Sequence, residues 1–170
     1  MSNLIYARSL QRLNKSKDKH KKLSSYQYLH FATHGFLHPQ TSALSALVLD
    51  QLNTTEEYDG YLTAVEWIGY QLKSDLMVLS ACQTGLGETV SGEGIMGLPY
   101  ALYLAGNKNT LMTLWKVDDA ATAEFMRRFY TKLNNGTSHI QSLIETKREF
   151  MQDAKYQNPR YWAAFVLYGV

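Results

Sequence analysis

Two residues in this sequence have the types and the spacing to do chemistry together. Cys82, the only cysteine in the chain, closes the run Leu76-Met77-Val78-Leu79-Ser80-Ala81. His34 closes a second run, Tyr26-Gln27-Tyr28-Leu29-His30-Phe31-Ala32-Thr33, 48 positions upstream. Nucleophilic catalysis by cysteine needs a thiolate, an imidazole to carry the proton and donors for the oxyanion. A single cysteine is more often a small buried hydrophobe than a nucleophile, so its place in the chain has to carry the argument. Five glycines follow it (Gly85, Gly87, Gly92, Gly94 and Gly97), which puts the thiol at the carboxyl end of a strand, just before a sharp turn. Open α/β sheets bind ligands at that edge. A gap of 48 residues holds one crossover segment, so the two strands can lie parallel and present both side chains at one sheet edge. The backbone N–H groups of Gly35 and Cys82 are then the natural oxyanion donors.

The elements that must position these residues follow from hydrophobic patterning. Leu76–Leu79 is a continuous apolar run, as expected of a parallel strand covered on both faces. Residues 26–32, 45–49, 109–117 and 162–170 read as further strands. Thr63-x-x-Glu66 is a capping box that predicts a helix from Ala64 to about Tyr70. A helix over 95–104 stops at Gly106, with its start moved later by Pro99. Asp118 and Asp119 offer acidic N-terminal residues for a helix over 121–133, which ends at Asn134-Asn135-Gly136. Ser138 caps a last helix running to about Lys155. Leu4, Leu10 and Leu13 are spaced as one face of a short first helix that leads into a lysine-rich linker. Buried strands alternating with helices predict a three-layer α/β/α fold with a mainly parallel sheet.

Composition sets the outer bounds. A chain of 170 residues with 45 % apolar and 19 % charged residues suits one globular domain with a real core. One cysteine excludes an internal disulfide and a multi-cysteine zinc site, and fits a reducing, cytoplasmic compartment. No run is long enough to span a membrane and no signal peptide is evident. Residues 1–22 hold seven Lys or Arg against Asp18 alone, and this basic segment reads as a solvated helix and linker over 1–25. Without interleaved aromatic residues it argues against nucleic acid as partner. His30, His34 and His38 would align on a helix, but they fall on a strand and a turn, which argues against metal. No cofactor is expected, since the glycines match neither phosphate-binding pattern. His30 reads as a core or sheet-face residue, His38 and His139 as solvent-facing, and Trp67, Trp115 and Trp162 as core.

Six segments in order give the sequence a family likeness. They are Tyr28-Leu29-His30-Phe31-Ala32-Thr33-His34-Gly35, Leu79-Ser80-Ala81-Cys82-Gln83-Thr84 and Gly92-Glu93-Gly94-Ile95-Met96-Gly97-Leu98, then Ala105-Gly106, Leu114-Trp115-Lys116-Val117-Asp118-Asp119 and Tyr161-Trp162-Ala163-Ala164-Phe165. Together they closely resemble the CHAT domain, a caspase-like family related to separase and often fused to tetratricopeptide repeats. The likeness runs over 26–170.

The resemblance implies a caspase-like cysteine endopeptidase acting on a protein substrate, with His34 as the catalytic histidine and Cys82 as the nucleophile. It makes Asp118 or Asp119 a pocket residue for the side chain preceding the cut, although helix capping explains both equally well. It puts Gly92, Glu93 and Gly94 in an active-site loop, with Glu93 as an anchor and the 85–97 stretch as the part that moves on activation. Caspases carry Gln where this chain has Ser80, so a preference for Asp in the substrate does not carry over. Full domains of the family extend further upstream than the 25 residues found here. The expectation is a domain short of the family's amino-terminal strands, its His34 strand open at one edge, completed by an upstream half or a tetratricopeptide-repeat partner chain. The alternative is an inert caspase-like interaction module that contacts a partner through its basic segment.

Overall fold

The computed structural model describes residues 4–6, 23–36, 38, 41–49, 51, 59–80, 82–83 and 93–169; for 4–6, 36, 42, 82–83 and 93–96 the description is of the backbone. The elements in order are β1 (Leu4–Tyr6), β2 (Tyr28–Phe31), β3 (His34–Phe36), β4 (Ala46–Val48), β5 (Tyr61–Thr63) and α1 (Ala64–Ile68). Then come β6 (Leu76–Leu79), β7 (Cys82–Gln83), α2 (Glu93–Leu104), β8 (Asn109–Thr113), α3 (Asp119–Asn134), α4 (His139–Gln152) and β9 (Phe165–Gly169). Five strands form the main sheet in the order β1-β2-β6-β8-β9, and four form a second sheet in the order β5-β4-β3-β7. In the main sheet only β9 is antiparallel to its neighbour.

Strand alternation divides the core into two clusters. Leu29 and Phe31 of β2, Met77 and Leu79 of β6 and Met112 of β8 point to one side, where α1 and α2 supply Ala64, Trp67, Leu98, Ala101 and Leu102. Leu76 and Val78 of β6, Leu111 of β8 and Phe165 of β9 point to the other, against Phe125 and Phe129 of α3 and Leu143 and Phe150 of α4. All four residues of β6 are therefore buried, as its unbroken apolar run requires. The result is the three-layer α/β/α arrangement of a caspase-like fold.

Most element ends follow from local chemistry. The Thr63 capping box forms, with the Thr63 hydroxyl accepting from Glu66 N and the Glu66 carboxylate accepting from Thr63 N. Gly106 (φ +100°) closes α2 in a Schellman turn: Gly106 N donates to Tyr103 O and Asn107 N to Leu102 O. Gly136 (φ +85°) closes α3 in the same way through Leu133 O and Lys132 O.

Five expectations are corrected. Leu4–Tyr6 is not helical but a strand parallel to β2; Leu10 and Leu13 lie outside the described residues. So short a segment does not sustain a helix, whereas the ladder of β2 offers partners for its amides. β2 thus has β1 on one side and β6 on the other, and the open edge expected for it is covered. The start of α2 is not delayed by Pro99: the helix begins at Glu93 with Pro99 inside it. Burial of Leu98, Ala101, Leu102 and Ala105 outweighs the missing N–H. Trp115 is exposed rather than core, its indole N–H donating to Arg160 O. His38 and His139 are half-buried rather than solvent-facing; His38 Nδ1 accepts from Thr41 N, and His139 meets the edge of the Tyr28 ring.

The two Schellman glycines make a controlled comparison. A Cβ at Gly106 would stand 2.2 Å from Leu72 O, whereas at Gly136 it would meet nothing within 4 Å. Gly136→Ala should lower stability by about 1 kcal/mol, the conformational cost alone, and Gly106→Ala by more than about 2 kcal/mol. Urea denaturation of the two variants measures the difference.

Candidate active site

The site grows out of one parallel strand pair. β2 and β6 run side by side with Tyr28 opposite Leu76 and Phe31 opposite Leu79. β2 then ends at Phe31 and β6 at Leu79. They resume together as β3 and β7, with His34 opposite Cys82 and Gly35 opposite Gln83. The offset of 48 between partners is the same before and after the break. Ser80 N donates to Phe31 O (2.9 Å), carrying the β2–β6 ladder one residue further. The Thr33 hydroxyl donates to Val48 O, fastening the break to β4.

Register partners on neighbouring strands stand roughly 4.8 Å apart, and their Cβ atoms leave the same face of the sheet. His34 and Cys82 are such partners, so the two residues occupy adjacent register positions of one sheet. His34 is exposed. β3 is an inner strand, with Val48 and Leu47 of β4 opposite His34 and Gly35 on its other side. Gly35 therefore has partners on both flanks, and its N–H can serve an oxyanion only where it stands outside both ladders. β7 is the terminal strand of this sheet.

Directly behind the strand break lies a buried polar group that sequence reasoning did not assemble. His30, 5 % exposed, hydrogen-bonds through Nε2 to Ser80 Oγ (2.9 Å) and through Nδ1 to the Tyr130 hydroxyl (3.1 Å). The Tyr130 ring lies against the imidazole at 5.8 Å. Burial lowers the His30 pKa from 6.5 to about 4, so the ring is neutral and donates through one nitrogen while accepting at the other. Strand alternation already put His30, Val78 and Ser80 on one face. Tyr130 gave no signal, being 100 residues away and brought in by the packing of α3.

The acidic candidates stand at the same edge of the main sheet, in the segment that follows β8. Asp118 Oδ1 accepts from Ala120 N and Ala121 N, both at 3.1 Å, and so is the N-cap of α3. Asp119 is exposed in the first turn. Glu93 and Gly94 open α2, and Gly92 lies outside the described residues, as does most of the glycine-rich stretch. Among the described residues no group of three His, Cys, Asp or Glu side chains is placed to hold a metal ion, and no helix is long and apolar enough to cross a membrane.

A mainly parallel sheet between helical layers gives the chain a caspase-like α/β architecture, and a histidine and a cysteine lie in register on the short strands beyond its carboxyl edge. The CHAT domain family model matches residues 7–170, and the chain belongs to that family. It is 32 % identical over 141 residues to tetratricopeptide repeat protein 28 of Mus musculus and 30 % identical to the protein of that name in Homo sapiens. Each match covers 79 % of this chain and 6 % of the relative, so the chain spans a small part of those proteins.

The buried histidine should leave a mark on acid stability. Its folded pKa lies below its unfolded value, so the unfolded chain binds the extra proton, and stability is lost as pH falls from about 6.5 towards 4. Between pH 7 and pH 5 this amounts to about 2 kcal/mol. That window lies largely above the carboxylate range, and His139, also held low by burial, contributes in the same direction. Urea denaturation at both pH values should show a loss in the wild type that is smaller in His30→Gln.

Proposed function

We propose that this chain is a cysteine endopeptidase in which Cys82 attacks a peptide carbonyl and His34 is the general acid and base. The observation that carries the reading is the register pairing of His34 with Cys82. In the first step the Cys82 thiolate forms a C–S bond to the carbonyl carbon, and the C–N bond breaks as His34 protonates the leaving amine. In the second, His34 takes a proton from water, which attacks the thioester and releases the acid and the thiol. The backbone amides of Cys82 and, where its N–H stands outside both ladders, Gly35 are the oxyanion donors. Asp119 is the better pocket residue of the two acids, because the Asp118 carboxylate is already occupied by the α3 cap. A carboxylate there favours a basic side chain before the cut.

We further propose that activity is latent until a partner or signal completes the pocket. The relatives offer a model for the partner: in them the matched segment is a small part of a long chain named for tetratricopeptide repeats. An inert interaction module is the reading left if no thiol chemistry is found.

Alkylation of Cys82 by iodoacetamide between pH 4 and 10 tests the pair without knowledge of the substrate. The wild type should react well below the free-thiol pKa of about 8.5, and His34→Ala should lose that low-pH reactivity. Matching profiles near the free value would defeat the peptidase reading. With a co-encoded protein as substrate, Cys82→Ala should abolish cleavage while leaving the circular dichroism spectrum unchanged.

A further inference from the structure

We infer that His30, with Ser80 and Tyr130, is a positioning device for the His34–Cys82 pair; the inference rests on the peptidase reading above. His30 stands four residues before His34 and Ser80 two residues before Cys82, so one hydrogen bond of 2.9 Å joins the two segments just ahead of the reacting residues. That bond crosses the point where the main sheet stops and the short β3–β7 pair begins. Among the described residues β7 spans two, and its ladder to β3 has two register pairs. So short a pairing is marginal by itself. The residues that fix its phase must lie behind it.

One main-chain bond, Ser80 N to Phe31 O, and one side-chain bond, the Thr33 hydroxyl to Val48 O, hold the backbone at the break. Neither fixes the rotation of the chain at Ser80 about its own axis. The His30–Ser80 bond does, because it fastens a side chain of that segment to the buried face of β2. Tyr130 completes the arrangement from α3. Its hydroxyl engages His30 Nδ1 at 3.1 Å, which holds the ring in the orientation presented to Ser80. Helix α3 begins at Asp118–Asp119 and reaches Tyr130 three turns later, so the helix that carries the candidate pocket acids also steadies the strand carrying the thiol. In this inference the three residues act on the pair through the main chain.

The faces that surround His30 bear on how it can be tested. From β6 it meets Ser80 and from α3 Tyr130, and burial is what depresses its titration. From about pH 6 upwards it is neutral, so a change in the Cys82 profile there reports geometry at the pair rather than a new charge on His30.

The test measures iodoacetamide alkylation from pH 5 to 10 on the full chain in wild type, Tyr130→Phe, Ser80→Ala and Ser80→Thr, with thermal melts for each. Tyr130→Phe removes only a hydroxyl and Ser80→Thr adds only a methyl, so folding is retained where His30→Phe would put it at risk. In Tyr130→Phe and Ser80→Ala the reactivity midpoint should rise by about one unit or more, which lowers the rate at pH 6 by about tenfold. At pH 10, where every thiol is ionised, their rates should stay within about twofold of wild type. Ser80→Thr, which restores a hydroxyl, should recover the wild-type profile. Superimposed low-pH profiles for wild type, Tyr130→Phe and Ser80→Ala would overturn the inference and leave the peptidase reading intact. A wild-type profile identical to His34→Ala would overturn both.

Discussion

The register of β2 against β6 is the constraint on which the rest of the structure depends. Both strands are buried on both faces, and a slip of one residue would turn every side chain to the wrong layer. Phe31 and Leu79 would leave the α1–α2 side, and His30 would lose Ser80 and Tyr130. Because the offset between partners is the same in β2–β6 and in β3–β7, the same register brings His34 beside Cys82. The alignment of the candidate pair is inherited from the hydrophobic core rather than built by the short strands that carry it.

The helical layer on the far side of the sheet is held by a different kind of contact. Arg128 of α3 donates to Glu124 (2.7 Å) and to Asp153 beyond α4 (2.6 Å), with its guanidinium over the Phe150 ring at 4.9 Å. Lys132 reaches Glu149 of α4 at 2.6 Å. Such surface pairs add little stability individually, but they fix α3 against α4 along its length. Phe125 stacks on Phe165 at 3.7 Å and packs edge-on to Phe150, which seats α3 on the sheet. This seating brings Tyr130 to His30, a contact with no local origin.

At the opposite edge of the sheet, polar groups close the floor. Asn107 accepts from Ser74 Oγ (2.7 Å) and donates to Asn109 O and Thr110 Oγ1, all buried. Leu72 N donates to Ala105 O at 2.6 Å, which explains why a side chain at Gly106 cannot be accommodated. The strand ends opposite the candidate site are thus tied by side-chain and main-chain bonds, while the carboxyl ends of β2 and β6 are left to diverge from the main sheet as β3 and β7.

By itself the sequence determined the strands with unbroken apolar runs, the caps at Thr63, Asp118 and Ser138, the helix stops at Gly106 and Gly136, and the pairing of a histidine and a cysteine 48 residues apart. These are local signals: burial on both faces, a side-chain oxygen for orphan amides and glycine at positive φ are written in a few adjacent residues. Tertiary structure decided the rest. Leu4–Tyr6 became a strand because β2 offered an unfilled ladder, and Pro99 entered a helix because the surrounding apolar burial exceeded its cost. Trp115 stayed at the surface because its loop lies beyond the end of β8. His30 was legible as a buried histidine, but its link to Tyr130 was not. A hydrogen bond spanning 100 residues exists only after α3 has packed, since nothing in local propensity records which helix will cover a given strand.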